Sequence, residues 1–328
     1  MTESTVPQVS STLSAADTIA RWKLRWRISR DGAAVSPGLF RIGEPSAESP
    51  VIVTCNYRMT FDLVRRDLGG LDVWLLVLDT RGVNVWCAAG KGTFSSRELM
   101  LRAALTGLER YVSHRTLVLP QLGATGVSAA DVRATSGWRV VFGPVRSRDL
   151  KAFLAAGMKA TPAMRAVTFT FAERMAVVPV ELVGAFVGWF ALIPFALLGI
   201  GALVSWGGAA ALIAQPLAAY LAGVIGGGVL VPALLPWLPG RALSLKGAEA
   251  GVIAGLLAGL VLSAPPLMIA ADTLLAGAVA SYIGVNFTGT TPYTSPSGVE
   301  KELRVALPLM GAASVLAGVL WVVQAFGG

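Results

Sequence analysis

One short stretch of the sequence carries residue types suited to metal chemistry. Residues 81–94 read RGVNVWCAAGKGTF, in which Cys87 stands between Trp86 and three small residues at 88–90. Small residues let a large flat ligand approach the backbone, and a cysteine thiolate coordinates soft metals. The stretch therefore predicts a soft-metal ligand at Cys87, or alternatively a small core cysteine packed beside a tryptophan.

The glycines of this stretch do not form a phosphate-binding loop. A Walker A motif needs a glycine five positions before its Gly-Lys, where Val85 stands, and a Ser or Thr after the lysine, where Gly92 stands. No GxGxxG motif opens a helix elsewhere in the first half of the chain. The pattern excludes a P-loop and a standard dinucleotide fingerprint.

Cysteine and histidine counts limit the possible metal sites. The chain has two cysteines, Cys55 and Cys87, and one histidine, His114. Two cysteines fit a reducing compartment and cannot form a disulfide framework or a self-contained iron–sulfur cluster. We therefore expect any metal to be held by very few protein atoms or to arrive inside a cofactor.

The elements that must position the motif alternate between strands and helices. This alternation predicts βαβ units, a mainly parallel sheet and the α/β fold class. Ligands of such sheets bind beyond the carboxyl ends of the strands, which places the loop after strand 73–79 well for function. Ser95 and Glu98 predict a capping box at one helix start. The predicted strands are 51–54, 73–79, 116–119, 139–142 and 166–171, and the predicted helices are 61–68, 95–111, 128–135 and 147–156.

Charge divides the chain into two unlike halves. Only 14% of the 328 residues are charged, against about 25% in a typical soluble domain. Residues 1–175 hold 23 Lys/Arg and 14 Asp/Glu, whereas residues 176–328 hold 4 and 5. We predict a polar and basic N-terminal segment at 1–44, an α/β ligand-binding domain at 45–175 and a transmembrane helical domain at 176–328.

The second half of the chain is predicted to be a bundle of membrane-spanning helices. A span needs about 20 apolar residues. We predict five spans, with four as the alternative, and a less apolar, turn-rich stretch at 272–304. The predicted spans lie at 177–203, in 204–238 as two short spans around Gln215 and Pro216, at 250–271 and at 305–325.

Basic residues suggest an orientation. Arg165 and Arg174 lie just before the first predicted span, so the positive-inside rule places residues 1–175 in the cytoplasm, at the inner membrane. Arg241 and Lys246 would prefer the same side, and this preference favours four spans over five.

The motif resembles that of a known family. Residues 84–91, NVWCAAGK, match the cap-helix motif of the mercury-methylating corrinoid proteins without a departure. The predicted α/β domain also resembles the corrinoid-binding domain of the corrinoid iron–sulfur protein of the acetyl-CoA pathway, which has a related motif. The mercury-methylating family joins one Rossmann-like corrinoid domain with a cap helix to about five membrane helices. The resemblance covers roughly residues 45–328, including the polar stretch 286–298.

The resemblance implies a cobalamin-type corrinoid cofactor and a role for each motif residue. Cys87 would be the lower axial ligand of the corrinoid cobalt and the catalytic residue. Lys91 either meets the polar amide rim of the corrinoid or is solvated. The residues that would shape and complete the cap helix are Asn84, Val85, Trp86, Ala88, Ala89, Gly90 and Lys91.

The implied activity is a methyl transfer to inorganic Hg(II). A thiolate trans to the methyl group of methylcobalt(III) pushes electron density toward that carbon, which favours its transfer to a soft electrophile. The family implies a small [4Fe–4S] ferredoxin-like electron donor and a methyltetrahydrofolate-type methyl donor or its methyltransferase. The alternatives are a corrinoid methyl carrier of acetyl-CoA-type one-carbon metabolism and a non-catalytic membrane corrinoid-binding module. Dispersed basic residues argue against a nucleic-acid partner.

The end of the first predicted strand offers a second candidate. Thr54 could hydrogen-bond the corrin or a cobalt-bound group, or cap its own backbone. Cys55 could relay Hg(II), but alternation along a strand points it away from the face of Thr54. We favour Cys55 as buried packing.

Three further features have a structural and a functional interpretation. The basic, aromatic segment 17–30 is either a solvated edge element or a surface for anionic headgroups. His114 is predicted to be a capping or surface residue at an element boundary. Glu181 is either interfacial or a functional intramembrane charge.

Overall fold

A computed structural model describes residues 6–30, 32–187, 192, 196, 199, 210–287 and 296–327. The chain forms two compact units by its contacts. The first, the α/β unit, comprises Met1–Leu24 and Ile28–Val167, and the second, the helical unit, comprises Arg25–Arg27 and Thr168–Gly328. The boundaries drawn from charge at residues 44 and 175 stay predictions.

The α/β unit is built on a five-stranded sheet with strand order β1-β3-β2-β4-β5. Strands β2 to β5 pair in parallel, and β1 runs antiparallel along β3. The chain moves from β2 to β3 and then crosses back to β4, so the carboxyl ends of β2 and β4 form a switch point. The strands are β1 Gly38–Ile42, β2 Val51–Cys55, β3 Val73–Leu78, β4 Thr116–Leu119 and β5 Arg139–Phe142.

Helices cover both faces of this sheet. One apolar cluster joins alternate β2 residues, such as Val53 and Cys55, to helices α3 and α4. The opposite cluster joins Ile52 to helices α2 and α6. The predicted α/β class with a mainly parallel sheet is therefore confirmed, and the sheet is mixed because β1 is antiparallel. The helices of this unit are α1 Ala15–Arg25, α2 Arg58–Asp67, α3 Val85–Gly90, α4 Ser96–Leu105, α5 Ala129–Ser136, α6 Leu150–Ala155 and α7 Pro162–Arg165, with 3₁₀ turns at Leu108–Arg110, Gln121–Gly123 and Ser147–Asp149.

Two predictions for this unit need correction. The predicted strand at 166–171 is wrong, because the chain there is irregular and then enters a helix at Phe171, capped by Thr170 and Glu173. Only one of the two hydrogen bonds of the predicted capping box of α4 forms. The Ser95 side chain accepts a hydrogen bond from the Glu98 N–H, but the Glu98 carboxylate accepts from the N–H of Asp79 instead.

The helical unit contains four helical stretches long and apolar enough to cross a membrane among its described residues: Gln215–Leu234, Leu243–Val261, Pro266–Asn286 and Gly298–Phe326. The predicted first span at 177–203 lies largely outside the described residues, so the total of five stays a prediction. The helices are α8 Phe171–Met175, α9 Val178–Gly184, α10 Ala210–Ile225, α11 Val231–Leu234, α12 Leu243–Val261, α13 Pro266–Asn286 and α14 Pro296–Gly327, with a π-helical turn at Gly226–Leu230.

The spans divide differently from the prediction. The described part of 204–238 is one continuous span through Pro216, not two. The predicted span at 250–271 is wrong, because the chain breaks at Ser263, whose φ is +51°, before α13 starts at Pro266. The stretch 272–304 begins inside α13, and residues 288–295 lie outside the described part.

Small residues bring α12 and α13 together. Gly247, Gly251, Gly255 and Gly259 repeat every four residues along α12. A Cβ at Gly251 would lie 2.3 Å from the Ala276 carbonyl oxygen. Such close backbone approach is the packing that small residues allow between membrane helices.

Candidate functional site

The predicted motif forms a short helix, α3, in the loop after β3. Asn84 is its N-cap, and the Asn84 Oδ1 accepts a hydrogen bond from the Cys87 N–H at 3.0 Å. Asparagine is a preferred N-cap because its side chain satisfies a backbone donor of the first turn. The helix ends at Lys91, and Gly92 follows with φ +74°. The sequence NVWCAAGKG thus contains both ends of the helix that carries Cys87.

Burial divides the motif between a packed and an open side. Val85, Ala88 and Ala89 are buried in the cluster that includes Cys55. Cys87 and Trp86 are half-buried, and Gly90 and Lys91 are exposed. A Cβ at Gly90 would meet nothing within 4 Å. The Cys87 side chain is therefore partly accessible on a helix whose other face is fixed in the core.

The loop after β4 packs closely against this helix. A Cβ at Gly126 would lie 2.1 Å from the Phe94 carbonyl oxygen and 3.0 Å from the Ala89 Cα. A Cβ at Gly123 would lie 2.5 Å from the Phe94 ring. Only glycine fits at these approaches. The sequence analysis did not identify Gly123 or Gly126. The glycines of the run QLGATG, which follows β4, were the signal that could have indicated them.

Asn56 holds the loop that leads into α3. Its Oδ1 accepts hydrogen bonds from the Thr80 and Gly82 N–H groups, both at 3.0 Å. Its Nδ2 donates to Asp79 Oδ1 at 3.2 Å. Asn56 is buried, so it ties the end of β2 to the end of β3. This positioning role was not predicted.

Thr54 and Cys55 occupy the carboxyl end of β2, beside Val77 and Leu78 of β3. Cys55 packs in the cluster of α3 and α4, and burial raises the pKa of its thiol. The favoured interpretation of Cys55 as buried packing is confirmed. Thr54 follows the alternation to the other face; it is 1% exposed, and its Oγ1 has no hydrogen-bond partner among the described residues.

His114 and Glu181 belong to other elements of the chain. His114 precedes β4, its Nε2 lies 2.9 Å from the Ser49 carbonyl oxygen, and its Nδ1 accepts from the Thr116 N–H. This is the predicted boundary role. Glu181 lies in α9 of the helical unit.

The protein groups present fit a cofactor that brings its own metal. Within the described part of the chain, no three His, Cys, Asp or Glu side chains gather as a metal site. Cys87 offers one accessible soft donor. The unpartnered Oγ1 of Thr54 lies at the neighbouring strand end, where a buried hydroxyl without a partner costs about 1–3 kcal/mol. Cys87, in the loop beyond the carboxyl end of β3, suits a ligand that brings its own metal and takes a single donor from the protein, whereas Thr54 faces the opposite side of the sheet from α3.

Comparison with known proteins identifies relatives of the α/β unit. Residues 22–154 match the family described as CdhD, CO dehydrogenase/acetyl-CoA synthase delta subunit. The gamma subunit of the acetyl-CoA decarbonylase/synthase complex from Methanopyrus kandleri is 39% identical over 127 residues, which are 38% of this chain and 27% of that protein. The same subunit from Archaeoglobus fulgidus is 36% identical over 127 residues, with the same shares.

These matches cover a part of each protein. The aligned residues span about a quarter of the length of these relatives, 27% in both cases. The family match ends at residue 154, before the segment Thr168–Gly328 of the helical unit. The matches support a corrinoid as the cofactor. The names of these relatives refer to acetyl-CoA decarbonylase/synthase and not to mercury methylation, so they favour the one-carbon alternative of the sequence analysis.

Proposed function

We propose that this protein binds a corrinoid at the carboxyl edge of its α/β sheet and takes part in methyl transfer beside a membrane. The observation that carries this proposal is the half-buried Cys87 on α3, a capped helix that packs against the sheet. Residues 22–154, which include this helix, are similar to the CO dehydrogenase/acetyl-CoA synthase delta subunit family. When bound, the corrinoid supplies a cobalt ion that can carry a methyl group.

Several residues of the chain would hold the corrinoid. Cys87 would provide the sulfur that holds the cobalt of the corrinoid, and Asn84 fixes the helix turn on which Cys87 stands. Asn56, Gly123 and Gly126 hold α3 and its loops in place. Thr54 offers its unpartnered hydroxyl as a hydrogen-bonding group at the edge of the site.

Val85, Trp86, Ala88, Ala89, Gly90 and Lys91 complete the proposed cofactor-binding helix. Val85, Ala88 and Ala89 anchor it from within. Gly90 leaves open space where a side chain would stand, which suits the approach of a flat macrocycle. Lys91 is exposed and either contacts the polar rim of the corrinoid or is solvated.

The comparisons favour a methyl acceptor of one-carbon metabolism. The relatives are named as subunits of an acetyl-CoA decarbonylase/synthase complex. On this proposal the chain is a corrinoid methyl carrier, and its exchange partners are other proteins of such a system.

Inorganic Hg(II) is the second candidate acceptor. A specific observation favours it: the motif NVWCAAGK carries a half-buried free cysteine on α3, and the chain also has helices long and apolar enough to cross a membrane, as the mercury-methylating family does. A cysteine sulfur bound to the cobalt would favour transfer of a methyl group to a soft electrophile, and Hg(II) is very soft. On this proposal the protein is a corrinoid-dependent methyltransferase that makes methylmercury.

Partners and location follow from either acceptor. The described chain has no cluster of cysteines, so a small [4Fe–4S] ferredoxin-like protein would supply electrons for cobalt recycling, and a methyltetrahydrofolate-type donor or its methyltransferase would supply the methyl group. The helical unit would lie in the inner membrane, with the α/β unit in the cytoplasm. The gathering of Arg174, Lys246 and Lys301 near one end of the bundle supports this orientation.

One experiment separates the acceptors. The full chain, in membranes with its ferredoxin-like partner under anaerobic and reducing conditions, is supplied with a methyltetrahydrofolate-type methyl donor. It is given Hg(II) as the acceptor in one arm and an acetyl-CoA decarbonylase/synthase complex as the acceptor in the other. Methylmercury formation that is lost in Cys87→Ala and retained in Cys55→Ala would support the Hg(II) proposal. Methyl transfer only in the carbon arm would support the carrier proposal. Failure of the wild type to retain corrinoid would contradict both.

A further inference from the structure

The segment 17–30 forms a helix with two different faces. Leu24 of α1 is buried at 4% exposure, whereas Trp22, roughly 200° around the axis, is 58% exposed. Ile19, one turn before Trp22, is 55% exposed, and Ile28, after the end of the helix, is 49% exposed. α1 therefore packs through one side and presents large apolar side chains on the other.

Ion pairs hold the inner side in place. Asp17 of α1 lies 2.9 Å from Arg65 and 2.5 Å from Arg58 of α2. Arg65 is buried and also bonds Asp62. Because the one acidic residue of α1 is engaged on this side, the outer face carries no negative charge to offset its basic residues.

Basic residues flank the exposed apolar side chains. Lys23 and Arg27 are exposed beside Trp22 and Ile28. The helix ends in a closing turn in which the Ile28 N–H donates to the Lys23 carbonyl oxygen and Arg27 takes φ +58°. Apolar and aromatic side chains bordered by Lys and Arg are typical of helices that lie in the headgroup layer of anionic membranes.

Residues 25–27, which follow Leu24, belong to the helical unit. The Arg25 guanidinium donates to the Ala176 carbonyl oxygen at 3.4 Å. A Cβ at Gly184 would lie 3.2 Å from Arg27 Nη1. Residues 25–27 therefore contact the segment of the helical unit that leads toward the predicted first span, where the headgroup layer is expected.

We infer that the exposed surface formed by Ile19, Trp22 and Lys23 of α1, together with Ile28 just after the helix, binds the surface of an anionic lipid bilayer. The exposed apolar side chains insert among the headgroups, and the basic side chains bind lipid phosphates. This contact holds the N-terminal helix at a membrane surface. It does not depend on the identity of the cofactor or of the methyl acceptor.

Tryptophan fluorescence of the full chain tests this inference. The protein is placed in nanodiscs of phosphatidylcholine with or without phosphatidylglycerol, each prepared with ordinary or brominated lipids. Subtracting the emission of Trp22→Phe isolates Trp22 from the other tryptophans. We expect Trp22 emission that is blue-shifted and quenched by bromine, more strongly in the anionic discs, with most of the difference between the lipids lost in Lys23→Gln.

A matched probe controls for nonspecific contact. Leu105→Trp in the Trp22→Phe background places a tryptophan at an exposed position of α4, where Leu105 is 67% exposed; its emission should not be quenched. Solvent-like, unquenched Trp22 emission in both lipids would overturn the inference. Equal quenching in both lipids that Lys23→Gln leaves unchanged would overturn the anionic selectivity. Burial of Trp22 only after an acidic protein is added would assign this face to a protein partner instead.

Discussion

The Asn84 side chain accepts a hydrogen bond from the backbone N–H of Cys87, three residues later in the sequence, at 3.0 Å. The residue that starts α3 thus also fixes the turn from which the Cys87 side chain projects. α3 has only six residues, Val85–Gly90, so its own hydrogen bonds cannot make it stable alone. Its geometry depends on this cap and on packing against the sheet.

Loss of the cap should loosen α3. In Asn84→Ala the Cys87 N–H loses its acceptor, and we expect a loss of about 1 kcal/mol in stability. Asn84→Asp, which keeps an acceptor at the same place, should retain most of it. Thermal unfolding of the full chain measures the change, and the corrinoid content of each purified variant reports on the site. Equal behaviour of the Ala and Asp variants would show that the cap does not matter.

Gly126 and Gly90 make a matched pair. A Cβ at Gly126 would lie 2.1 Å from the Phe94 carbonyl oxygen, so Gly126→Ala must displace α3 or the loop after β4. We expect destabilisation and reduced corrinoid retention. Gly90→Ala meets nothing within 4 Å in a helical position and should be neutral or stabilising by up to about 1 kcal/mol. Thermal unfolding compares the two, and the opposite order would contradict the close packing of α3.

Asp17 should make the stability of the α/β unit sensitive to acid. Hydrogen bonds from the Ser14 backbone and from Arg65 lower the pKa of the Asp17 carboxyl well below its usual range, against an opposing effect of burial. A lowered folded-state pKa gives stability that is present above the unfolded value of about 3.9 and is lost as the pH falls below it. Asp17→Asn should remove this contribution at neutral pH and flatten the acid dependence. The exposed Asp131→Asn is the control in pH-dependent thermal unfolding; an unchanged acid dependence in Asp17→Asn would refute the role of these contacts.

The glycines of α12 that contact α13 should not tolerate a side chain. A Cβ at Gly251 would lie 2.3 Å from the Ala276 carbonyl oxygen, so Gly251→Ala should force α12 from α13 and lower the thermal stability of the helical unit in membranes. Gly318 of α14 has open space at its Cβ position, and Gly318→Ala is the matched control. If the two variants unfold at the same temperature, the helices do not pack as described.

Patterns in adjacent residues predicted most strands and helices of the α/β unit, because short-range interactions determine where these elements begin. Four strands and four helices of the α/β unit begin within a few residues of their predicted positions, because alternation and capping signals are written in adjacent residues. The edge strand β1 was missed, since its five residues, GLFRI, carry little alternation. The turn at Ser263 was missed because a non-glycine residue adopts φ +51° there.

The site was predicted in part for the same reason. The sequence motif identified Cys87, and Asn84, the N-cap of the helix that carries Cys87, is part of the same motif. Asn56 and Gly126 act through contacts between elements separated by many residues, so only the folded chain brings them to α3. Roles of the motif residues toward a corrinoid stay predictions.

Cobalt X-ray absorption tests the central claim most directly. The full chain loaded with corrinoid is compared with Cys87→Ala and Cys55→Ala. We expect one sulfur scatterer in the first shell of cobalt in the wild type and in Cys55→Ala, and its loss in Cys87→Ala with corrinoid still bound. A cobalt shell without sulfur in the loaded wild type would contradict the assignment of Cys87 as the axial ligand.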